Sequence, residues 1–408
     1  MRARPVVALL GVLLATQAAC TDDSTVTGAA CVGGDDARKA AASVLERRTA
    51  AVRDGDLEAF LATSWRDADP RGVDEQRARF DRIQQLPEHT LELTLGVTRA
   101  SATDSLTAYV NQKVQLAGID EKPVAVGHRV TFERHGGCWL VDADEPDDLQ
   151  VVLAPWDAPD AVIEHRDDVL LVTDETDDDE RRRILDTAAD AWRDERRILA
   201  SQDPRPDDVG VVVLAFTTDR AMKANGFYYQ SLELTGGVEI PVRAGSDQVD
   251  FRVLVNPSML ESGRSAYLPQ LMRHEFVHVL LARHPFAPVW ATEGVAEYYA
   301  SGRAGGPRVP DVDLVPPGSS TGGTGLPTDD FYAGDWAARS GNYAVAWAAM
   351  AYLADAHGRG EPARLVRALH RARAAYDPKR VDRVLEQRYG LSTEVLGARA
   401  RQLIARLG

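Results

Sequence analysis

A histidine–glutamate–histidine cluster inside an apolar stretch, Leu268 to Ala282, constrains the fold of this chain more than any other feature. His274 and His278 are four residues apart, a spacing that places both imidazoles on one face of a helix, with Glu275 leaning toward the same space. Apolar residues fill most of the remaining positions, so we expect the helix to be buried, where an unpaired cluster would be costly. The fold must therefore supply these side chains with a partner.

Zinc is the partner that this cluster favours. Neutral imidazole is a good zinc ligand, and two histidines leave a tetrahedral ion in need of a third protein ligand and a water molecule. The spacing alone is only suggestive, because a chain with nine histidines forms it by chance roughly 1% of the time. A second motif downstream makes the interpretation more specific.

That second motif is Trp290–Tyr298, which reads W-A-T-E-G-V-A-E-Y. A His-Glu-x-x-His helix followed by Trp-x-x-Glu-Gly-x-Ala-x-Tyr resembles the gluzincin metallopeptidases, the group that includes thermolysin and the aminopeptidase N family. The chain is most similar to the shorter bacterial peptidase MA-like domains, over about Val151 to Leu407. The resemblance implies a zincin-type domain with a small sheet, an active-site helix and a helical C-terminal subdomain.

The same resemblance assigns roles to individual residues. It implies that His274, His278 and Glu293 bind one zinc ion (Zn2+) per chain, and that Glu275 is the general base in the hydrolysis of a peptide or protein substrate. Fourteen residues separate His278 from Glu293 (293 − 278 − 1), a shorter connection than in the larger gluzincins. Glu297 is expected to orient a ligand histidine, and it is the alternative third ligand.

Two further features are expected near the site. A hydrolase needs a donor for the developing oxyanion, and the resemblance implies this role for Tyr343, at the start of a predicted helix. The alternative is that Tyr343 packs with Trp347 and Tyr352. Val249–Val255 alternates apolar and charged residues, which predicts a strand with one exposed face. By resemblance, this strand is expected to be the sheet edge that pairs with the substrate backbone.

Residues 1–19 have the features of a signal peptide: a basic start, an apolar run too short to span a membrane, and small residues before Cys20. The Ala-Ala-Cys sequence ending at Cys20 resembles a bacterial lipobox, which implies lipidation of Cys20 and attachment to the outer face of the cell membrane. Gln17 departs from the aliphatic residue usual at its position, and simple secretion is the alternative. Both alternatives imply an extracytoplasmic protein, with residues 20–34 as a polar tether.

Cys31 and Cys138 are the two cysteines that remain after Cys20. In an oxidising compartment an even remainder predicts one disulfide bond, and two free thiols are the alternative. The disulfide would close a loop of about a hundred residues, and it would stabilise the fold chiefly by restricting the unfolded chain.

The net charge of −15 argues against a nucleic-acid partner, because an acidic surface repels phosphate backbones. The histidines outside the motif offer no second cluster in the sequence pattern. We expect His89, His128, His135 and His165 to lie at the surface or in loops. The oligomeric state has no signature in the sequence.

Residues 35–148 are predicted to form an α+β domain of two helices followed by four strands. The predicted elements are helices Ala37–Asp54 and Leu57–Ser64 and strands Leu91–Leu95, Thr107–Gln115, His128–Glu133 and Cys138–Val141. Helices followed by a curved antiparallel sheet resemble the SnoaL-like cone fold of the nuclear transport factor family. That fold is used as a pocket, a dimerisation module or a spacer, and fold alone does not choose among them.

Residues 149–408 form the second predicted α+β domain. Its predicted strands Val169–Val172 and Val209–Phe216 flank a long helix, Asp178–Leu199. Residues 301–335 are rich in glycine and proline and are expected to be a lid or an insertion. Four helices are predicted after this segment: Tyr343–His357, Glu361–Arg373, Pro378–Tyr389 and Ser392–Leu407.

Two other functions are compatible with the sequence. One is a catalytically inactive, surface-anchored binding protein with a residual or structural zinc site. The presence of Glu275 argues against it, because a structural site needs no base and usually closes its fourth position. The other is a peptidase held latent by residues 301–335.

Overall fold

The computed structural model describes residues 31–65, 70–146, 154–158, 160–200, 209–224, 235–244, 248–261, 263–301, 325–327 and 331–407. The chain is α+β, as predicted. The signal peptide, Cys20, most of the tether and most of the 301–335 segment lie outside the described residues. Among the described residues, no helix combines the length and the apolarity that a transmembrane span requires.

Three α-helices and four antiparallel strands make up the described residues from 31 to 146. They are α1 (Ala37–Asp54), α2 (Leu57–Leu61), α3 (Pro70–Gln84), β1 (His89–Ser101), β2 (Ser105–Leu116), β3 (Val124–His135) and β4 (Cys138–Pro146). α1 has its predicted bounds because the Asp36 side chain caps its start and Gly55, at φ 68°, ends it in the left-handed conformation. The sequence pattern does not predict α3, because charged and polar residues fill most of its positions and obscure the few apolar ones.

Cys31 and Cys138 form the predicted disulfide bond. Their Cα atoms are 4.9 Å apart, and the bond links residues separated by 107 positions in the chain. Trp139, next to Cys138, is fully buried, and its backbone N–H donates to the carbonyl of Val32. The disulfide therefore fastens the start of the described chain to β4.

The double variant Cys31→Ser/Cys138→Ser is expected to lose roughly 4–5 kcal/mol of unfolding free energy, because the unfolded chain regains the entropy of an open loop. Urea denaturation of the oxidised protein and of the double variant measures the difference. Reduced wild-type protein is the matched control and should unfold at the same urea concentration as the double variant. Equal midpoints for the oxidised and reduced proteins would contradict the prediction.

The described residues of the second half of the chain contain five strands and eight α-helices. The strands are β5 (Val162–Arg166), β6 (Val169–Thr173), β7 (Val211–Ala215), β8 (Gly237–Ala244) and β9 (Gln248–Val255), in the spatial order β8-β9-β7-β6-β5. β6, β7 and β9 are parallel, whereas β5 and β8 run antiparallel to their neighbours. The helices are α4 (Asp178–Leu199), α5 (Asp219–Ala224), α6 (Leu268–Leu281), α7 (Val289–Ser301), α8 (Trp336–His357), α9 (Glu361–Arg371), α10 (Pro378–Tyr389) and α11 (Thr393–Leu407).

β9 differs from its prediction in two respects. β7 and β8 pair with it on either side, so Val249–Val255 is an interior part of the sheet and not its edge. Its charged residues Asp250 and Arg252 are also buried, with only 8% and 3% of their surface exposed. Arg252 donates to Asp120 Oδ1 at 2.5 Å. The alternation of apolar and charged residues therefore reflects a buried ion pair and not a solvent-exposed face.

One residue pair and a shared core join the two groups of strands. Val124 of β3 pairs with Ala244 of β8, which links the antiparallel strands to the mixed sheet. A single hydrophobic cluster contains Phe60 from the first group together with Leu170 and Leu254 from the second. The hydrophobic core is thus continuous between the residues before and after position 148, where the sequence predicts a domain boundary.

Five buried side chains form what we call the buried charge network: Arg48, Arg79, His128, Asp144 and Asp157. His128 Nδ1 lies 2.9 Å from Asp144 Oδ1, and His128 Nε2 lies 2.9 Å from Asp157 Oδ2. Arg79 pairs with both carboxylates, and Arg48 pairs with Asp144. The prediction of a surface position for His128 is wrong, because only 3% of the residue is exposed.

The helical C-terminal part follows the predicted pattern closely, with one difference that concerns the site. α10 begins at Pro378, where the side chain of Asp377 accepts backbone hydrogen bonds from the first turn, as predicted. α8 begins at Trp336, seven residues earlier than predicted (343 − 336). Tyr343 therefore does not open this helix but lies in its second turn.

Candidate metal centre

α6 carries the two histidines on a helix that is held firmly in the core. Met272 and Phe276, on its inner face, have no exposed surface, and the Trp192 ring of α4 packs edge-on against Phe276 at 5.4 Å. His274 and His278 project from the face that turns toward α7. The apolar residues of the inner face thus fix the helix, and His274 and His278 both face Glu293 of α7.

α7 supplies the carboxylate through a close approach to α8. A Cβ atom at Gly294 would lie 2.6 Å from the carbonyl oxygen of Ala346 in α8, a distance that real Cβ atoms do not adopt. Only glycine allows the two helices to pack this closely. The neighbouring residue, Glu293, is 6% exposed and faces α6. The glycine of the W-x-x-E-G motif therefore has a packing role that positions Glu293.

Three potential ligand atoms converge between α6 and α7. The Nε2 atoms of His274 and His278 are 3.1 Å apart, and they lie 3.2 Å and 3.4 Å from Glu293 Oε2. Glu293 Oε2 is buried without a hydrogen-bond partner among the described residues. Metal–ligand bonds of about 2.0–2.1 Å place tetrahedral ligands about 3.3 Å from one another. Two imidazole nitrogens and one carboxylate oxygen at these separations fit a zinc ion.

Glu297 lies on the other side of His274. Its Oε1 is 3.1 Å from Nδ1 of His274, whereas Nε2 of the same ring faces Glu293. A carboxylate in this position fixes the ring orientation and keeps the Nε2 lone pair directed toward the other ligand atoms. Of the two candidate third ligands, Glu293 is therefore the one whose carboxylate oxygen lies close enough to both Nε2 atoms to bind the same ion.

Burial and neighbouring charge shift the ionisation of these groups. Burial raises the pKa of Glu275 to about 7, with a further contribution from Glu239 that the nearby histidines oppose. Burial alone would lower the pKa of His278, but the carboxylates of Glu293 and Glu239 together outweigh it and raise the pKa to about 9. A metal ion must displace a proton from this imidazole, so binding weakens as the pH falls.

Among the described residues, Tyr332 and Tyr343 line the site, and the sequence pattern points to only one of them. The ring of Tyr343 lies 6.2 Å from that of His274 and packs edge-on against Phe331. Tyr332, at the end of the glycine-rich segment, donates its hydroxyl hydrogen to Glu293 Oε1 at 2.6 Å. Tyr332 belongs to no periodic pattern, so its aromatic character was the only signal in the sequence.

The site opens into a cleft of about 420 Å³ between β8 and α8. Glu275 lies in the wall of this cleft, close to β8. A Cβ atom at Gly237 would approach the Glu275 carboxylate to 3.1 Å, so the glycine leaves room for this side chain. Glu239, Trp336 and Arg339 line the remainder. The cleft gives a ligand direct access to both Glu275 and the converging ligand atoms.

Comparison with known proteins adds no assignment. No protein-family profile matches the chain, and no curated protein matches it significantly.

Proposed function

We propose that this protein is an extracytoplasmic zinc metallopeptidase of the gluzincin type. The observation that carries the proposal is the convergence of His274 Nε2, His278 Nε2 and Glu293 Oε2 within 3.1–3.4 Å of one another, with Glu275 beside them in an open cleft. A site that only binds metal has no need for an additional, uncoordinated carboxylate or for an opening to solvent.

Zinc held by the three ligands would activate a water molecule and polarise the carbonyl group of a peptide. Glu275 would accept the proton of the attacking water and return it to the leaving amine. Burial raises the pKa of this carboxyl in the metal-free protein, and a bound zinc ion would oppose that shift. Glu297 would hold His274 in orientation. The hydroxyl group of Tyr343 is the candidate donor to the oxyanion, whereas that of Tyr332 donates to Glu293.

β8 takes the substrate-binding role that the sequence pattern assigns to β9. Gly237, Val238 and Glu239 of β8 line the cleft. On the side away from β9, the only β8 residue with a strand partner in the described chain is Ala244. An extended peptide added along this edge would pair through its backbone, so recognition would depend weakly on side chains.

The location and the role of the first half of the chain complete the proposal. Residues 1–19 would be a signal peptide, and a lipid on Cys20 would attach the protein to the outer face of the cell membrane. Secretion without a lipid is the alternative. The helices followed by antiparallel strands support a cone-like fold for the first domain and a zincin-type fold for the second. The disulfide between Cys31 and Cys138 is consistent with an oxidising compartment outside the cytoplasm.

Zinc content tests the proposal first. A soluble form beginning at Thr21 should retain tightly bound zinc after dialysis, and His278→Ala should lose one equivalent, because two ligands do not hold the ion. Elemental mass spectrometry measures both. His165→Ala, which removes an exposed histidine of β5, is the control and should retain the metal. Folded wild-type protein that binds no zinc when zinc is supplied would overturn the peptidase proposal.

A further inference from the structure

We propose that Glu133, His135 and Asp142 bind a second divalent metal ion, on the β3–β4 hairpin. Glu133 and His135 are two residues apart on β3 and therefore project from the same face of the strand. Asp142 of β4 is the extra residue at a β-bulge, where Val141 pairs with Phe132 but Ala143 pairs with Thr131. The site shares no residue with the metal centre between α6 and α7, and it does not depend on the proposed peptidase function.

The three side chains bring their ligand atoms to one point. One nitrogen or carboxylate oxygen from each residue lies within 4.8 Å of the other two. His135 Nε2 lies 3.6 Å from Glu133 Oε2 and 4.0 Å from Asp142 Oδ1. Hydrogen bonds are shorter than these distances, whereas ligands of one zinc ion are about 3.3 Å apart, so small side-chain rotations suffice for coordination.

His135 Nε2 also lacks any other partner. The atom is buried and has no hydrogen-bond partner among the described residues. An unsatisfied buried nitrogen costs free energy, and an ion or a bound water is the usual reason for one in a native protein. Two carboxylates directed at this nitrogen favour a cation. A bound cation would therefore explain both the unpaired nitrogen of His135 and the two carboxylates that converge on it.

The imidazole is held in place before any metal binds. The Trp65 ring stacks on His135, with ring centroids 3.9 Å apart and planes inclined by 3°. The backbone N–H of Trp65 donates to the carbonyl of Val141 at 2.8 Å, which fixes the tryptophan to β4. Cys138, paired with His135 across the hairpin, is tied down by the disulfide. Rigid ligands lose little freedom on binding, so this arrangement supports affinity.

The ligand set indicates which ion binds. Calcium and magnesium prefer oxygen ligands throughout, whereas an imidazole together with carboxylates suits zinc and neighbouring transition metals. The side chains of Glu133 and Asp142 are 39% and 28% exposed, which leaves space for a water molecule to complete the coordination. We therefore choose zinc as the probe and expect weaker binding here than at the buried metal centre.

Calorimetric titration of zinc into metal-free protein beginning at Thr21 tests the proposal in the His278→Ala background, which lacks the first centre. One saturable site per chain is expected. Adding His135→Phe should abolish it while keeping an aromatic ring against Trp65. Adding His165→Phe, a change of an exposed histidine outside the cluster, should leave the site intact.

Metal-free thermal unfolding shows whether the His135→Phe variant is folded, so that lost binding is not lost structure. Glu133→Gln and Asp142→Asn give the same test without changing the ring, and each should weaken zinc binding. Absence of saturable binding in the His278→Ala protein overturns the proposal. Equal binding before and after His135→Phe overturns it too, because the zinc would then be held elsewhere.

Discussion

Glu275→Gln is expected to lower the rate of peptide hydrolysis by about 10²–10⁴-fold while zinc stays bound. The amide keeps the size and the hydrogen-bonding capacity of the side chain but does not accept the proton of the attacking water. The metal ligands are His274, His278 and Glu293 in our proposal, so the substitution removes the base without removing a ligand. Cleavage of a peptide library, with zinc measured on the same samples, gives both quantities.

Glu394→Gln, an exposed glutamate in the first turn of α11, is the matched control and should change neither quantity. Full activity in the Glu275→Gln protein would show that another group is the base. Bound zinc without cleavage of any peptide by the wild-type protein would instead favour the alternative function, a surface-anchored binding protein whose zinc is structural. In that case the Glu275→Gln protein should also retain its biological role.

Asp144→Asn is expected to lower the free energy of unfolding by roughly 3–5 kcal/mol, because it leaves buried positive charge without its partner. Asp144 accepts from His128 and pairs with Arg48 and Arg79, and its side chain is 6% exposed. Urea denaturation near pH 7 measures the loss. Glu145→Gln, on the adjacent exposed position of β4, should cost at most about 1 kcal/mol. Similar losses for both variants would contradict a special role for the buried charge network.

The pH dependence of stability follows from the same residues. Burial alone would lower the pKa of His128, but Asp157 and Asp144 raise it to about 9, above the ordinary value of 6.5. The stabilisation from protonated His128 is therefore complete below pH 6.5 and is lost as the pH rises through 9. The pKa of Asp144 is lowered chiefly by Arg79 against the opposing effect of burial, so its contribution is lost in acid. His128→Gln should reduce the alkaline decline in urea midpoints measured from pH 6 to 10; an unchanged decline would contradict this account.

Local signals in the sequence predicted the regular elements well. α1, α4 and α10 have their predicted bounds, because an aspartate caps each helix and the apolar spacing is clear. The spacing of His274 and His278 predicted that their imidazoles meet. The W-x-x-E-G motif predicted the third member of the group, although its reason is the close packing of Gly294 against α8.

Long-range contacts explain what the sequence did not predict. Arg252 and His128 occur in patterns typical of exposed strand positions, yet each is buried because a carboxylate from another element pairs with it. Tyr332 reaches Glu293 from an aperiodic segment, and no local rule places it there. β8, which displaces β9 from the sheet edge, also escaped prediction. For Arg252 and Tyr332 the deciding partner is distant in sequence, whereas β8 pairs with the strand that directly follows it.

The hydrophobic cluster shared by the two groups of strands makes them depend on each other for stability. Phe60 and Leu116 pack in the same hydrophobic cluster as Leu170 and Leu254. Removing either group of strands would therefore expose the apolar side chains of the other to water. The buried pair of Asp120 and Arg252 would also be broken, at the cost of an uncompensated charge. The two halves should then melt in a single cooperative transition. A fragment that begins at residue 149 would be a folding intermediate with an exposed apolar face, prone to aggregate and unable to serve as a minimal enzyme.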